Sequence, residues 1–326
     1  MEARHPSGPT GLQRGEAFVR RARPWRVLFF TDSHVSFDSK PHHLRWYPSL
    51  IGGRMGRLEQ WMLNRLDWRS QANLRAVLAQ AHDADVVVCG GDATPGEDEH
   101  GMLSDAALQQ YGRYRNLVAT AWRGPLFSAW GNHDVGYHYL RRRVGGVTAE
   151  SIENAQRLIG PPYQRVELDR WRLLIVSAEL LEAAATADHA PRTFRLYLAE
   201  LAERQRQWIR DELASADRVI LVDHDPRHFL KHVWPTVAES GHATKVQLTL
   251  TGHIHYRPAA ALLHWTHGSA RDARLEVIPS TWQMWGIGCG YATLVLDGDI
   301  CRLAIQRLPP ARVPRWWNAG DVRRES

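Results

Sequence analysis

Arg26-Val27-Leu28-Phe29-Phe30-Thr31-Asp32-Ser33-His34 opens as a strand and closes on side chains that can do chemistry. Val27 to Phe30 are apolar without a break, as expected of a strand covered on both faces, and too short for a buried helix. Asp32 and His34 follow two apart, so both side chains share one side if the backbone stays extended. The same event recurs along the chain. Asp85 to Cys89 runs into Gly90-Gly91-Asp92, and Pro125 to Trp130 into Gly131-Asn132-His133-Asp134. Val219 to Val222 ends in Asp223-His224, and Val246 to Leu250 ends in Thr251-Gly252-His253-Ile254-His255. In open α/β sheets ligands bind beyond the carboxyl ends of the strands, so five polar strand ends on one edge would converge on one site.

Helical spacing fills the gaps. Leu58, Trp61, Met62 and Leu66 recur at that period, as do Leu74, Val77, Leu78 and Ala81. Ser104 caps an expected helix with Leu108, Tyr111, Val118 and Trp122 on its face. Another is expected around Ala149 to Leu158, and a polar one over about Leu198 to Leu213 striped by Leu201, Trp208, Ile209 and Leu213. Between them lies a hairpin, Gln164 to Leu168 and Trp171 to Ser177 around Asp169-Arg170. Short strands near Leu275 to Ile278, Tyr291 to Leu296 and Cys301 to Ile305 finish the chain.

Composition sets the bounds. At 326 residues, 44% hydrophobic and 23% charged, the chain buries a sizeable core and is not a disordered polymer. Three cysteines cannot staple such a length. No apolar run approaches the ~20 residues of a membrane span, and none precedes the first strand, so a cytoplasmic protein is expected. The net charge of +6 sits at the ends: residues 1–26 carry +4 and residues 305–326 carry +3, leaving the body at −1. Residues 1–24 and 309–326 read as loose basic tails around one domain, 25–308. A near-neutral body offers no phosphate-binding groove, so a nucleic-acid partner is not expected.

Asp32, His34, Asp92, Asn132, His224, His253 and His255 together offer more donors than one divalent ion uses. Two ions can use them, with one carboxylate shared. Mixed imidazole and carboxylate donors suit Mn, Fe, Zn or Ni better than Ca. Two such ions ~3.5–4 Å apart are a device for in-line displacement at phosphorus.

In order and type, Asp32-x-His34, Gly91-Asp92, Gly131-Asn132-His133-Asp134, His224 and Gly252-His253-x-His255 resemble the calcineurin-like metallophosphoesterases, most closely their cyclic-nucleotide phosphodiesterase branch. The resemblance covers about Val27 to Ile305. It implies an α/β fold, a four-layer, two-sheet β-sandwich flanked by helices, with a helical insertion here at about 40–82. It implies that Asp32, His34, Asp92 and His255 hold one metal and Asp92, Asn132, His224 and His253 the other, with Asp92 bridging. It further implies that metal-bound hydroxide attacks the phosphoester, that His133 protonates the leaving oxygen and that Asp134 orients or charges His133. Asn132, His133 and Tyr256 are the expected substrate contacts. One departure is visible: Asp223-His224-Asp225-Pro226 stands where relatives commonly carry paired histidines, and the two aspartates are expected to add negative charge near the metals. The expected reaction is hydrolysis of a small phosphodiester of nucleotide type. Two alternatives stay open: a nucleotide-linked lipid pyrophosphatase at a membrane face, and a non-catalytic scaffold on the same fold. The first draws on residues 45–69, rich in Arg and Trp, which read either as a lid or peripheral membrane contact or as a packed helix. Trp282 and Trp285 either pack or stack on a base, and His228 and His232 share one half-buried helical face.

Overall fold

Val27 and Phe29 leave β1 (Trp25–Phe30) on one face, Leu28 and Phe30 on the other, and all four are buried. A strand apolar on both faces must lie inside layers, and the two faces meet different partners. The chain was studied as a computed structural model, which describes residues 23–35, 69–95, 103–136, 147–188, 190–254, 263, 265–281 and 289–308. After β1 come α1 (Arg69–Leu78), β2 (Val86–Cys89), α2 (Asp105–Ala121), β3 (Leu126–Ser128), α3 (Asn132–Val135) and α4 (Ala149–Leu158). The second half runs β4 (Gln164–Leu168), β5 (Trp171–Ile175), α5 (Ala178–Thr186), α6 (Arg192–Ser215) and β6 (Arg218–Val222). A helical run then passes through Pro226–His228, Phe229–Val233 and Trp234–Glu239 to β7 (Val246–Thr251), β8 (Leu275–Val277), β9 (Gly290–Asp297) and β10 (Ile300–Arg307).

The strands form two five-stranded sheets, ordered β10-β9-β1-β2-β3 and β4-β5-β6-β7-β8. β1, β2 and β3 are parallel, as are β5 to β8; β9, β10 and β4 run antiparallel to their neighbours. Between the sheets, Val27, Phe29, Val86 and Val88 meet Leu173, Ile175, Ile220, Val222 and Leu250. The outer face of the first sheet packs Leu28, Phe30, Val87 and Cys89 against Leu74, Val77 and Leu78 of α1 and Tyr111, Tyr114 and Val118 of α2. The outer face of the second packs Leu174, Val219 and Leu221 against Ile209 and Leu213 of α6. Helix, sheet, sheet, helix is the expected four-layer sandwich, and alternation of side chains along each strand builds it.

Local chemistry sets the boundaries. Ser104 accepts from the Ala107 amide at 3.2 Å and starts α2 as expected. The β4–β5 hairpin turns on Asp169, whose φ is 56°. Lys245 Nζ donates to the Leu213 and Ala214 carbonyls at 2.8 and 2.9 Å and closes the C-terminus of α6. Two expectations need correcting. α6 starts at Arg192, not Leu198, because Pro191 sits at its N-cap, where a missing N–H costs nothing. α5 was not expected at all: its buried positions run through consecutive residues from Ala178 to Ala183, leaving no one-sided stripe to read. Of the expected insertion, residues 69–82 are helical, with Leu74, Val77, Leu78 and Ala81 buried. Residues 36–68, both tails, Trp282 and Trp285 lie outside the described residues. Among the described residues no helix is long and apolar enough to cross a membrane.

Candidate metal centre

Parallel strands deliver their ends to one edge. Asp32 and His34 follow β1, Asp92 follows β2, and Asn132 and His133 follow β3; across the sandwich, His224 follows β6 and His253 follows β7. The crossing is made directly, because the His253 amide donates to Asp32 Oδ2 at 2.8 Å. Thr31 Oγ1 donates to the same oxygen at 2.7 Å. On the first sheet, the Asp32 and His34 amides donate to the Gly91 and Asp92 carbonyls, and the His133 amide donates to Asp92 Oδ1 at 2.9 Å.

Asp32 and His34 do meet, but not by the extended geometry expected of them. Their φ angles are 50° and 39°, so the chain turns left-handed at once on leaving β1. Asp92 (52°) and His253 (61°) do the same, which makes four of the six non-glycine residues with positive φ among the described residues. Such conformations cost of order 1–3 kcal/mol each and gather where the surroundings over-determine them. Glycines make the crowding feasible. A methyl group on Gly131 would overlap Asp92 Oδ1, and one on Gly252 would overlap Thr31 Oγ1 and Asp32 Oδ2.

Hydrogen-bond direction decides what the cluster wants. His224 Nδ1 lies 2.8 Å from the Gly90 carbonyl, which can only accept, so Nδ1 donates there and Nε2 is the nitrogen that faces inward. There Asp92 Oδ2 and Asn132 Oδ1 each lie 3.1 Å from it, and His253 Nδ1 lies at 3.2 Å. Donors about 2.0–2.3 Å from one ion stand about 3.0–3.5 Å apart, and the three contacts of His224 Nε2 have that length. A second group is looser: His34 Nε2 lies 3.9 Å from Asp32 Oδ1 and 3.8 Å from Asp92 Oδ2. Three sets of potential metal donors occur among the described residues, His34–Asp92–His133, Asp92–His224–His253 and, apart from these, Glu179–Asp225–His228; Asp92 belongs to the first two.

The electrostatics agree. Burial works against the charged imidazole of His224, yet the Asp92 and Asp32 carboxylates raise it well above its ordinary range. Burial likewise opposes the Asp92 carboxylate, and His224, His133 and His34 hold it well below its usual value. Two fully buried carboxylates among imidazoles thus attract positive charge, and a divalent ion satisfies that field as well as a proton does. Burial takes His253 down to about 3, keeping it neutral, as a ligand must be.

His133 and Asp134 depart from expectation in one respect. His133 Nδ1 is 2.7 Å from the Pro95 carbonyl, which sets the ring, and the ring stands edge-on to His34 at 4.9 Å. Asp134 Oδ2 instead accepts from the Gly131 and Asp92 amides at 2.8 and 3.0 Å, joining the ends of β2 and β3. Burial and then the Asp92 charge push its carboxyl up to about 7. Asp223 also differs: it accepts from the Ala178 amide at 3.0 Å, and burial pushes its carboxyl up to about 8, so it is largely uncharged at neutral pH. Only Asp225 adds the expected charge. His255 and Tyr256 lie outside the described residues. Reading the sequence missed Glu179 and Glu182 on α5, which His228 and His232 contact. The signal available was an i, i+4 histidine pair on one helical face, which calls for acidic partners.

A two-sheet α/β sandwich with a polar donor cage across parallel strand ends is the class that fold and site define. The model of the calcineurin-like phosphoesterase family matches residues 26–257, more than two thirds of the chain, and the protein belongs to that family. None of the curated proteins matches it. Among solved structures, one similar chain is GAP50, "the anchor in the inner membrane complex of Plasmodium", at 10% identity and a TM-score of 0.47 over 89% of this chain and 86% of that one. Family and donor clusters together support a metal-dependent phosphoesterase.

Proposed function

We propose that the protein is a dinuclear metal-dependent phosphodiesterase that hydrolyses small diesters of nucleotide type. The observation that carries this is the meeting of Asp92, Asn132 and His253 around His224 Nε2, with three contacts of 3.1 to 3.2 Å. Asp32, His34, Asp92 and His255 would hold one ion, and Asp92, Asn132, His224 and His253 the other. Mn, Fe, Zn or Ni fit these donors. Divalent ions held there would lower the pKa of a water and neutralise the phosphoryl oxygens. The protein's own residues supply the rest. The Pro95 carbonyl keeps a proton on His133 Nδ1, so the proton that moves is the one on Nε2, which His133 gives to the leaving oxygen. Asn132 and His133 orient the phosphate, and Asp134 holds the loops that carry them.

A near-neutral body between basic ends favours a small substrate over a polyanion, and cyclic nucleotides are the small diesters that the motifs match best. Buried, unpaired Cys89 and Cys289 suit a reducing compartment, the cytoplasm. The test is turnover of bis(p-nitrophenyl) phosphate with Mn²⁺, followed by a panel of cyclic nucleotides, phosphomonoesters, lipid-linked pyrophosphates and DNA. Manganese-dependent turnover that Asp92→Asn abolishes, with cyclic nucleotides the best of the panel, is expected. Equal rates for both proteins would end the proposal.

A further inference from the structure

Behind His253, on the side away from the cage, lies a charged cluster. Asp225 Oδ2 is 3.3 Å from His253 Nε2. Asp225 is wholly buried and accepts from the Arg227 amide at 2.8 Å and from Nε and Nη2 of the same residue at 3.0 and 2.5 Å. His228 Nδ1 stands 3.6 Å from Asp225 Oδ2 and 3.1 Å from Glu179 Oε1. Glu179 is also wholly buried, and its Oε2 has no hydrogen-bond partner. The cluster thus joins α5, the helix start at Pro226 and the loop after β7, three elements far apart in sequence.

His253 is where it acts. Nδ1 faces His224 and the other donors, whereas Nε2 faces Asp225. For Nδ1 to offer a lone pair, the single proton of the neutral ring must sit on Nε2, and a ligating histidine commonly gives that proton to a carboxylate. We propose that Asp225, fixed by Arg227 and by Glu179 through His228, is the positioning residue that sets the tautomer and aim of His253. Arg227 Nη2 now lies 2.7 Å from His253 Nε2, where it donates to a ring nitrogen lacking its proton. That arrangement competes with ligation. For Nδ1 to ligate, Arg227 would have to release His253 while keeping Asp225, a movement its 37% exposed side chain permits.

This inference rests on the dinuclear reading, and equilibrium dialysis of Mn²⁺ against the full chain separates the two. Wild-type protein is expected to bind two ions. Asp225→Asn is expected to keep one with unchanged affinity and to bind the other about 10–100-fold more weakly. Glu179→Gln, further from the centre and milder for folding, is expected to weaken that same ion several-fold and leave the first alone. Melting of the metal-free proteins identifies any variant that fails to fold, and loss confined to one ion is an effect that general damage would not produce. Two equally tight ions in both folded variants would overturn the inference while leaving the dinuclear reading intact. Three ions in wild type, with only the third lost in Asp225→Asn, would overturn it as well. No ion in wild type would remove both.

Discussion

At the scale of single residues, the centre is built by what glycine omits and what carbonyls dictate. Gly252 has Thr31 Oγ1 and Asp32 Oδ2 where a methyl group would go. Gly252→Ala therefore forces Asp32 away from the His253 amide. Thermal unfolding should show a loss of about 1–3 kcal/mol, the range for overpacking, and manganese binding should weaken; a variant as stable as wild type would contradict that picture. His133 is oriented by Pro95, whose carbonyl accepts from Nδ1. If His133 delivers the leaving-group proton, His133→Ala should lose about 10²–10⁴-fold on diesters with alkoxide leaving groups and far less when p-nitrophenolate departs. Equal losses for both leaving groups would take the proton from His133.

At the scale of elements, the second sheet's helices are fastened by charge as well as packing. Glu182 of α5 contacts His232 and, at 2.8 Å, Lys231 on the helical run across from it. The His232 bond, opposed by burial and reinforced by Lys231, takes the Glu182 carboxyl down to about 2. A carboxyl lowered on folding stabilises above its unfolded value near 4.5, and that contribution disappears as pH falls toward 2. Glu182→Gln should therefore melt earlier than wild type at pH 7, by the equivalent of about 1 kcal/mol, and the gap should close between pH 4.5 and 2. A gap unchanged at pH 2 would mean that packing, not charge, joins these helices. This contact also marks what the sequence conceals. The strands were legible because two-sided burial writes unbroken apolar runs, and the residues gathered at the candidate site because each run ends in Asp, His or Asn. Glu179 and Glu182 carry no role in the sequence until the chain brings His228 and His232, 49 and 50 residues away, against them. The histidine pair calls for acidic partners, but no local pattern says which acids answer it. The left-handed turns at Asp32, His34, Asp92 and His253 were equally hidden, since nothing about Asp or His demands positive φ.

At the scale of the whole molecule, one cage ties the two sheets together, and stability should depend on filling it. Asp32, from the first sheet, accepts from the His253 amide of the second, and Asp92 faces His224 across the same gap. An ion binding only the folded chain at 100 times its dissociation constant adds about 2.7 kcal/mol. Manganese should accordingly raise the melting temperature by several degrees and a chelator reverse it; no shift would mean that the sheets are joined without metal. The most direct test of the central claim, that Asp92 joins two ions in one centre, is electron paramagnetic resonance of the manganese-loaded protein. The account predicts two ions per chain and an exchange-coupled spectrum that Asp92→Asn converts to the signal of isolated manganese. An isolated six-line signal from the fully loaded wild type would contradict it.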